Sequence, residues 1–200
     1  FPNMTVLAPA DEYDLKSMVA WALKQEGPVA IRYPKAVLET ELSNRFGEDR
    51  LPISTRQCEQ LIDGPDGLII GCGSLVGSCL AAVEELQKEG LRVGLINARF
   101  IKPLDKETLL KRIKMSPWVV SVEENMLQAG FGSAILEAIH DAAIDTGPIR
   151  RLGIPDRFIE HGDRGDLLSS LTLDASGIAE VCRELSGHTA TTAVAAPLQD

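Results

Sequence analysis

The sequence lacks any long apolar run, and no stretch approaches the roughly 20 apolar residues that a membrane-spanning helix needs. It also lacks a long basic run, and its formal net charge at pH 7 is −9. Because such a chain repels polyanions, it is predicted to bind neither nucleic acid nor an anionic membrane. The first residues carry no basic segment and no small-residue cleavage site, which argues against a signal peptide and is typical of the middle of a longer chain.

Cysteine is scarce, and its four copies stand apart at Cys58, Cys72, Cys79 and Cys182. No two of them form a Cys-x-x-Cys pair, and no His or Cys lies beside another at zinc-ligand spacing. The sequence therefore predicts no metal site in this chain. Free, buried thiols in a reducing compartment are the simpler interpretation.

What the chain does have is a regular alternation of strand and helix patterns from residue 67 onward. Hydrophobic content of 44% and charged content of 24% are ordinary for a globular protein of 200 residues. The alternation predicts an α/β fold, with a mostly parallel sheet covered on both faces by helices. The predicted strands are 68–71, 92–96, 118–122 and 149–154, and the predicted helices are 74–89, 105–114, 133–145, 164–171 and 175–185.

The N-terminal region predicts a separate β-α-β unit, with strands at 4–8 and 29–33 and a helix at 12–25 capped by Asp11. Polar residues without clear periodicity follow, and a strand or hairpin arm is expected within 53–61. The small-residue C-terminus has no core pattern. The predicted organisation is therefore a first unit at 1–35, a linker at 36–50, a domain at 51–186 and a disordered tail at 187–200.

The phrase Arg32-Tyr33-Pro34-Lys35 follows the second predicted strand. Pro34 fixes the backbone and holds Tyr33 extended, so two cations and a phenol project from the edge of a sheet. A phosphorylated substrate needs donors of this kind. We therefore predict that Lys35 and Arg32 bind a substrate phosphate and that Tyr33 has a structural or interface role. The alternative is two surface cations beside a linker.

Two further charged phrases follow later predicted strands. Arg99 and Lys102 lie where ligands tend to bind in open α/β sheets, and can grip an anion or pair with Asp105, Glu123 or Glu124. Adjacent carboxylates at 123 and 124 suggest acid–base chemistry, but neighbours in a strand face opposite sides. We favour a structural, interface or loop-anchoring role for Arg99, Lys102, Glu123 and Glu124.

His161 is the histidine whose position suggests a function, because it follows a proline-led loop and histidine is a common acid–base residue. A Ser/His/Asp arrangement has no support, since the chain contains no Gly-x-Ser-x-Gly nucleophile turn. We predict an interface or structural role for His161 and assign no catalytic residue.

Four phrases in fixed order carry a family resemblance: GLINARFIKPLD at 94–105, VEEN at 122–125, GFGSA at 130–134 and LGIPDRFIE at 152–160. Together they resemble the C-terminal part of the 1-deoxy-D-xylulose-5-phosphate synthase family, within the transketolase superfamily. The resemblance implies that residues 1–35 form the end of a pyrimidine-binding domain. It implies that residues 51–186 form a three-layer transketolase-type C-terminal domain.

The resemblance also implies a function. Such synthases are thiamine-diphosphate and Mg²⁺ enzymes that condense pyruvate with glyceraldehyde 3-phosphate for isoprenoid precursors. Most of their cofactor site lies upstream, and this chain shows no Gly-Asp-Gly…Asn metal motif, so the chain alone is expected to be inactive. In the family the position of Lys35 is usually Arg followed by Gly-Asn, and it contacts the substrate phosphate. A cytoplasmic homodimer acting on a phosphorylated sugar is implied.

Two alternatives stay open from the residues. The shared superfamily pattern also fits the β subunit of 2-oxo acid dehydrogenases, which hands an acyl group to a lipoyl partner. A noncatalytic assembly or regulatory module that keeps the fold is the third possibility. The departure at Lys35-Ala36-Val37 and the unusual linker are the features that keep both alternatives open.

Overall fold

A computed structural model describes residues 1–37, 40–47, 50–53 and 57–187, and within them the chain forms two sheets. The first sheet has three strands in the order β2-β1-β6. Strands β1 (Thr5–Leu7) and β2 (Val29–Ile31) are parallel and are joined by α1 (Glu12–Ala22). Strand β6 (Phe100–Lys102) pairs antiparallel with β1.

The second sheet has five strands, β3 (Glu59–Ile62), β5 (Val93–Asn97), β4 (Gly67–Cys72), β7 (Val119–Met126) and β8 (Ile149–Ile154), in that spatial order. Only β3 is antiparallel to its neighbour. The remaining helices are α2 (Glu41–Phe46), α3 (Val76–Lys88), α4 (Lys106–Met115), α5 (Phe131–Asp141), α6 (Arg164–Ser170) and α7 (Ala175–Ser186). None of the helices in the described ranges is long and apolar enough to cross a membrane.

Hydrophobic core covers both faces of the second sheet, and every residue of its central strand β4 is buried. Ile69 points to the layer of α3 and α7, whereas Leu68 and Ile70 point to the layer of α4 and α5. This alternation is what a strand buried on both sides requires. The predicted α/β class, with a mostly parallel sheet between two helical layers, is confirmed.

Two elements were not predicted from the sequence. Helix α2 lies inside the stretch assigned to a linker, and it is held by Leu42, which is fully buried against the main core. Strand β6 has only three residues, too few to show a periodicity, and it exists because β1 offers an edge to pair with. The domain boundaries stay a prediction, and residues 188–200 of the predicted tail lie outside the described part.

Strand β6 ties the two halves of the chain together. Its Phe100 is fully buried beside Leu7 and Met18, and its ring meets Trp21 edge-on with 5.6 Å between centroids. Aromatic pairs of this geometry stabilise beyond the area they bury. The first β-α-β unit therefore shares a sheet and a small core with the segment that follows β5.

All four cysteines are free and buried, as predicted. Burial raises the pKa of the Cys182 thiol to about 12, with the charge of Arg183 opposing the shift. The thiols are therefore neutral near pH 7 and act as small apolar groups in the core.

Candidate functional site

Strand ends from both sheets face one cleft of about 580 Å³. An opening of this kind, at the carboxyl ends of strands, is the usual ligand site of an open α/β sheet. It brings together two of the predicted phrases that are far apart in sequence, the one at Arg32 and Tyr33 and the one at Glu123 and Glu124. Its other lining residues are Ala8, Ile31, Pro34, Cys72, Gly73, Ser74, Ile101, Asn125 and Ile154.

A smaller cavity of about 300 Å³ adjoins the cleft and is lined by Lys35 and Asp11, among others. The two spaces share Tyr33, Pro34 and Ser74 as lining residues. Arg32 and Lys35 therefore lie along one rim, with the Tyr33-Pro34 pair between them.

The cations of this rim are exposed and available. Arg32 and Lys35 are both exposed, and neither has a carboxylate of a described residue within 4 Å. The backbone of Arg32 is held in place, because the Arg32 amide donates to the Leu7 carbonyl at 2.8 Å. Two exposed cations at the edge of a cleft, without a carboxylate partner among the described residues, form a surface suited to an anion.

Glu124 and Ser74 also line the cleft, and they form a hydrogen-bonded group with Arg164. Arg164 donates through Nε and Nη2 to the two carboxylate oxygens of Glu124, at 3.0 and 2.5 Å. Ser74 donates to Glu124 at 2.9 Å and accepts from Arg164 at 3.1 Å. Arg164 therefore neutralises the carboxylate that faces the cleft and fixes its orientation.

Glu123 turns the other way and closes the start of α5. Its side chain is buried, and its two oxygens accept the backbone amides of Phe131 at 2.7 Å and Gly132 at 2.8 Å. A carboxylate at a helix N-terminus satisfies orphan amides and complements the helix dipole. The two adjacent glutamates therefore have different partners and do not act as a pair on one ligand.

Cys72 lies in the cleft without the properties of a nucleophile. Burial raises the pKa of its thiol to about 12; the charge of Glu123 adds to the shift and that of Arg32 opposes it. A nucleophilic cysteine needs a thiolate, which forms when the pKa is lowered. The Cys72 side chain therefore contributes shape to the cleft.

Behind the cleft lies a buried set of six charged and polar side chains, here called the ion network: Asp11, Asp14, Arg50, Glu59, Asn97 and Arg99. Arg99 Nη2 lies 2.9 Å from Asp14 and 2.8 Å from Glu59. Arg50 Nη2 lies 2.6 Å from Glu59, and its Nη1 contacts Asp11. Asn97 donates to Asp14 at 2.8 Å.

The charges of the ion network stabilise each other. Burial opposes the charged form of Arg50, but its hydrogen bond to Glu59 and the charges of Asp14, Glu59 and Asp11 raise its pKa well above the usual value. Buried charges persist only when they are paired in this way. The network joins α1, the chain at residue 50, and strands β3 and β5.

The pairing of Arg99 and Lys102 with Asp105, Glu123 or Glu124, one of the alternatives left open, is not found among the described residues, and the structural role favoured for them stays a prediction. Arg99 pairs with Asp14 and Glu59, which are remote in sequence, and Lys102 donates to the Phe1 carbonyl. The Asp105 carboxylate instead caps α4, where it accepts a hydrogen bond from the Thr108 amide at 3.1 Å. The Arg99 side chain is fully buried, and its carboxylate contacts are with Asp14 and Glu59 of the network.

His161 does not line the cleft. It is exposed in the loop between β8 and α6. Its predicted structural or interface role stays a prediction.

Several residues of the site carried no recognisable sequence signal. Ser74 and Arg164 meet across 90 positions, and Arg50 and Asp14 across 36. The spacing of Asp11 and Asp14 did carry one, since it is typical of a helix start, and Asp11 accepts the Asp14 amide at 2.9 Å. Nothing in that spacing indicates the buried arginines.

A family model for the transketolase C-terminal domain matches residues 56–178, from before β3 into α7. This chain belongs to the transketolase C-terminal domain family. The match contains the five-stranded sheet and most of the helices that cover it. The membership therefore agrees with the fold described above.

Relatives from bacteria show a more specific likeness. The chain is 41% identical over 189 residues to the 1-deoxy-D-xylulose-5-phosphate synthase of Rhodopirellula baltica, covering 94% of this chain and 29% of that protein. It is 42% identical over 183 residues to synthase 1 of Geobacter sulfurreducens, covering 89% and 28%. The resemblance predicted from four phrases is confirmed, and the chain spans less than a third of these relatives' length.

Solved structures agree on the fold. A split-gene transketolase, described as an inactive β4 tetramer, matches with a TM-score of 0.79 and 26% identity, over 94% of this chain and 59% of that one. A transketolase variant from Pichia stipitis, in complex with fructose 6-phosphate, matches with a TM-score of 0.68 and 18% identity, over 94% and 26%. The second likeness shows the fold alone.

Enzymes of these families use thiamine diphosphate, and the residues present do not fit its metal–diphosphate site. Within the described ranges, no group of three or more His, Cys, Asp or Glu side chains is placed to hold a metal ion. The three acids of the ion network are already paired with two arginines.

Proposed function

We propose that this chain is the C-terminal part of a synthase that condenses pyruvate with glyceraldehyde 3-phosphate to 1-deoxy-D-xylulose 5-phosphate and CO₂, on the route to isoprenoid precursors. The support is 41% identity over 94% of the chain to a protein of that name. Thiamine diphosphate and Mg²⁺ are bound mainly by residues upstream. The chain alone is expected to be inactive, as the related split-gene transketolase tetramer is described to be.

The observation that carries the proposal is the cationic rim of the cleft. Arg32 and Lys35 follow one short strand, flank Tyr33 and Pro34, and line two adjoining spaces. Two cations at this spacing bind the phosphate of the acceptor aldehyde and hold its reactive end at a fixed distance. Lys35 acts as a point charge where most of the family has a two-pronged arginine.

The part of the cleft lined by Glu124 is compatible with an anion. A bare carboxylate at Glu124 repels a phosphate, but Arg164 and Ser74 hold and neutralise it at distances of 2.5–3.1 Å. The acceptor phosphate is therefore attracted to one rim without strong repulsion from the other. Tyr33, with 66% of its surface exposed, offers a phenol between the two cations.

The assembly and location are proposed from the same relatives. We infer a homodimer in the bacterial cytoplasm that acts on a phosphorylated sugar and binds neither nucleic acid nor membrane. Support comes from the likeness to bacterial synthases that are named for a sugar phosphate, together with the net charge of −9.

Replacing Lys35 with alanine in the full-length protein is expected to raise KM for glyceraldehyde 3-phosphate by about 10- to 100-fold. A charge-assisted hydrogen bond contributes about 1.5–3 kcal/mol, and 1.4 kcal/mol is tenfold in affinity. Activity with unphosphorylated D-glyceraldehyde is expected to change less than about twofold, since Lys35 does not contact that acceptor. Steady-state kinetics with both acceptors measures the two effects.

Two further variants sharpen this test. Lys35→Arg restores the family's usual residue and is expected to keep KM near its original value. Lys111→Ala removes an exposed cation of α4 that lines neither the cleft nor the adjoining cavity, and it is expected to leave KM for both acceptors unchanged. An equal loss with both acceptors in Lys35→Ala, or no loss with either, contradicts the phosphate role.

A further inference from the structure

Arg99 is an unusual residue within the ion network. Its side chain is fully buried and contacts Asp14, Glu59 and the Leu51 carbonyl, the last at 2.5 Å. Its backbone φ is +56°, in the left-handed region that non-glycine residues seldom adopt. Such a conformation persists when its surroundings over-determine it, and it is concentrated at functional sites.

The backbone of Arg99 leads directly to the cationic rim. Its carbonyl accepts the Ala8 amide at 2.9 Å, which fixes the end of β1. The neighbouring Leu7 carbonyl accepts the Arg32 amide at 2.8 Å. Arg99 is therefore two backbone hydrogen bonds from Arg32, across a strand that is itself buried at Leu7.

The ion network also borders the small cavity that Lys35 lines. Asp11 lines the same small cavity as Lys35 and Tyr33. Its Oδ2 accepts from Ser43 Oγ at 3.0 Å and contacts Arg50 Nη1. The Arg32 end of the rim is therefore connected to Arg99 through backbone hydrogen bonds, and the Lys35 end shares a cavity with Asp11 of the network.

We propose that Arg99 is a positioning residue: through the ion network it holds Arg32 and Lys35 at the spacing that the acceptor phosphate requires. This rests on the proposed function of the cleft. Arg99 itself is buried and touches no ligand, so it acts through the two rim cations. A misplacement of about 1 Å in a binding group is enough to lose much of the benefit of a preorganised site.

The test is Arg99→Lys in the full-length protein. Lysine keeps the charge but not the planar fork that reaches Asp14, Glu59 and the Leu51 carbonyl together. The ratio of kcat/KM for glyceraldehyde 3-phosphate to that for D-glyceraldehyde is expected to fall about tenfold. A residue with a purely structural role lowers both values equally and leaves this ratio unchanged.

Arg183→Lys is the matched control. Arg183 lies on α7 and is held by Glu85 and Glu89 at 2.5 and 2.6 Å, so it is also an arginine between two carboxylates. It does not line the cleft or the adjoining cavity. It is expected to lower the melting temperature without changing the acceptor ratio.

A double variant tests the route. In a Lys35→Ala background, Arg99→Lys is expected to lower the ratio by clearly less than tenfold, because one of the groups it positions is gone. Ser43→Ala is a milder variant that keeps every charge and is expected to lower the ratio about two- to threefold. It keeps the proposal testable if Arg99→Lys does not fold.

The outcomes separate two failures. If Lys35→Ala leaves the acceptor ratio unchanged, the phosphate role of the rim fails, and the positioning role of Arg99 fails with it. If Lys35→Ala lowers the ratio but Arg99→Lys and Ser43→Ala do not, the rim binds phosphate and only the positioning proposal is overturned. A fall in the ratio for Lys35→Ala, Arg99→Lys and Ser43→Ala, with none for Arg183→Lys, supports it.

Discussion

Replacing Arg50 with methionine is expected to lower the free energy of unfolding of this chain by about 3–5 kcal/mol. The Arg50 side chain is 1% exposed and contacts Asp11, Asp14 and Glu59. Methionine fills part of the same space but removes the ion pair described for Asp11 and leaves Asp14 and Glu59 with the single charge of Arg99. An uncompensated buried charge is much more destabilising than a lost surface ion pair.

Urea denaturation of the Arg50→Met variant, followed by circular dichroism, measures this effect. The control is Arg92→Met, since the Arg92 side chain is 70% exposed and lies 3.8 Å from one carboxylate, that of Asp66. That change is expected to lower the free energy of unfolding by less than about 1 kcal/mol. Equal effects of the two substitutions contradict a stabilising role for the ion network.

Replacing Gly130 with alanine is expected to lower the free energy of unfolding by about 2–4 kcal/mol, through overpacking and broken hydrogen bonds. A Cβ at this position lies 2.2 Å from the Met126 carbonyl and 2.5 Å from Glu123 Oε2. Both are closer than atoms approach in a folded protein, so Glu123 must move. It then loses the hydrogen bonds that it accepts from the backbone amides of Phe131 and Gly132.

Gly162→Ala is the control for this prediction. A Cβ there makes contacts no closer than 3.4 Å, to the Leu167 side chain, which are ordinary distances. The free energy of unfolding is expected to differ by less than about 1 kcal/mol from that of the unsubstituted chain. Alanine also lowers the conformational entropy of the unfolded chain, which favours the folded state. If Gly130→Ala lowers the free energy of unfolding no more than Gly162→Ala does, the hydrogen bonds between Glu123 and the start of α5 do not have the stabilising role described here.

The predictable part of the fold was the part with a repeating pattern. Strands β4, β5, β7 and β8 were each expected within a few residues of their positions, because a buried strand followed by an amphipathic helix is a strong local signal. Strand β6 has no such signal, since three residues show no period. It forms only because β1 has a free edge nearby.

The candidate site divides in the same way. The rim of Arg32 and Lys35 is one short phrase, so its residues could be chosen from the sequence. The ion network could not, because Asn97 and Asp14 meet across 83 positions. The sequence does not distinguish a buried arginine from an exposed one, and it does not indicate which carboxylate the fold brings into contact with it.

The two glutamates at the end of β7 illustrate what a period does predict. Strand geometry places neighbouring side chains on opposite faces, and Glu123 and Glu124 indeed have separate partners. Those partners, the amides that open α5 and the side chain of Arg164, depend on how helices dock on the sheet. Their identity therefore came only from the structure.

The most direct measurement is product analysis with the full-length protein, thiamine diphosphate, Mg²⁺, pyruvate and glyceraldehyde 3-phosphate. Mass spectrometry is expected to show a five-carbon deoxyketose phosphate, formed with one CO₂ for each pyruvate consumed. Pyruvate decarboxylation without that sugar contradicts the synthase assignment and favours a 2-oxo acid dehydrogenase component. Untouched pyruvate contradicts catalysis of either kind and leaves a noncatalytic module with this fold.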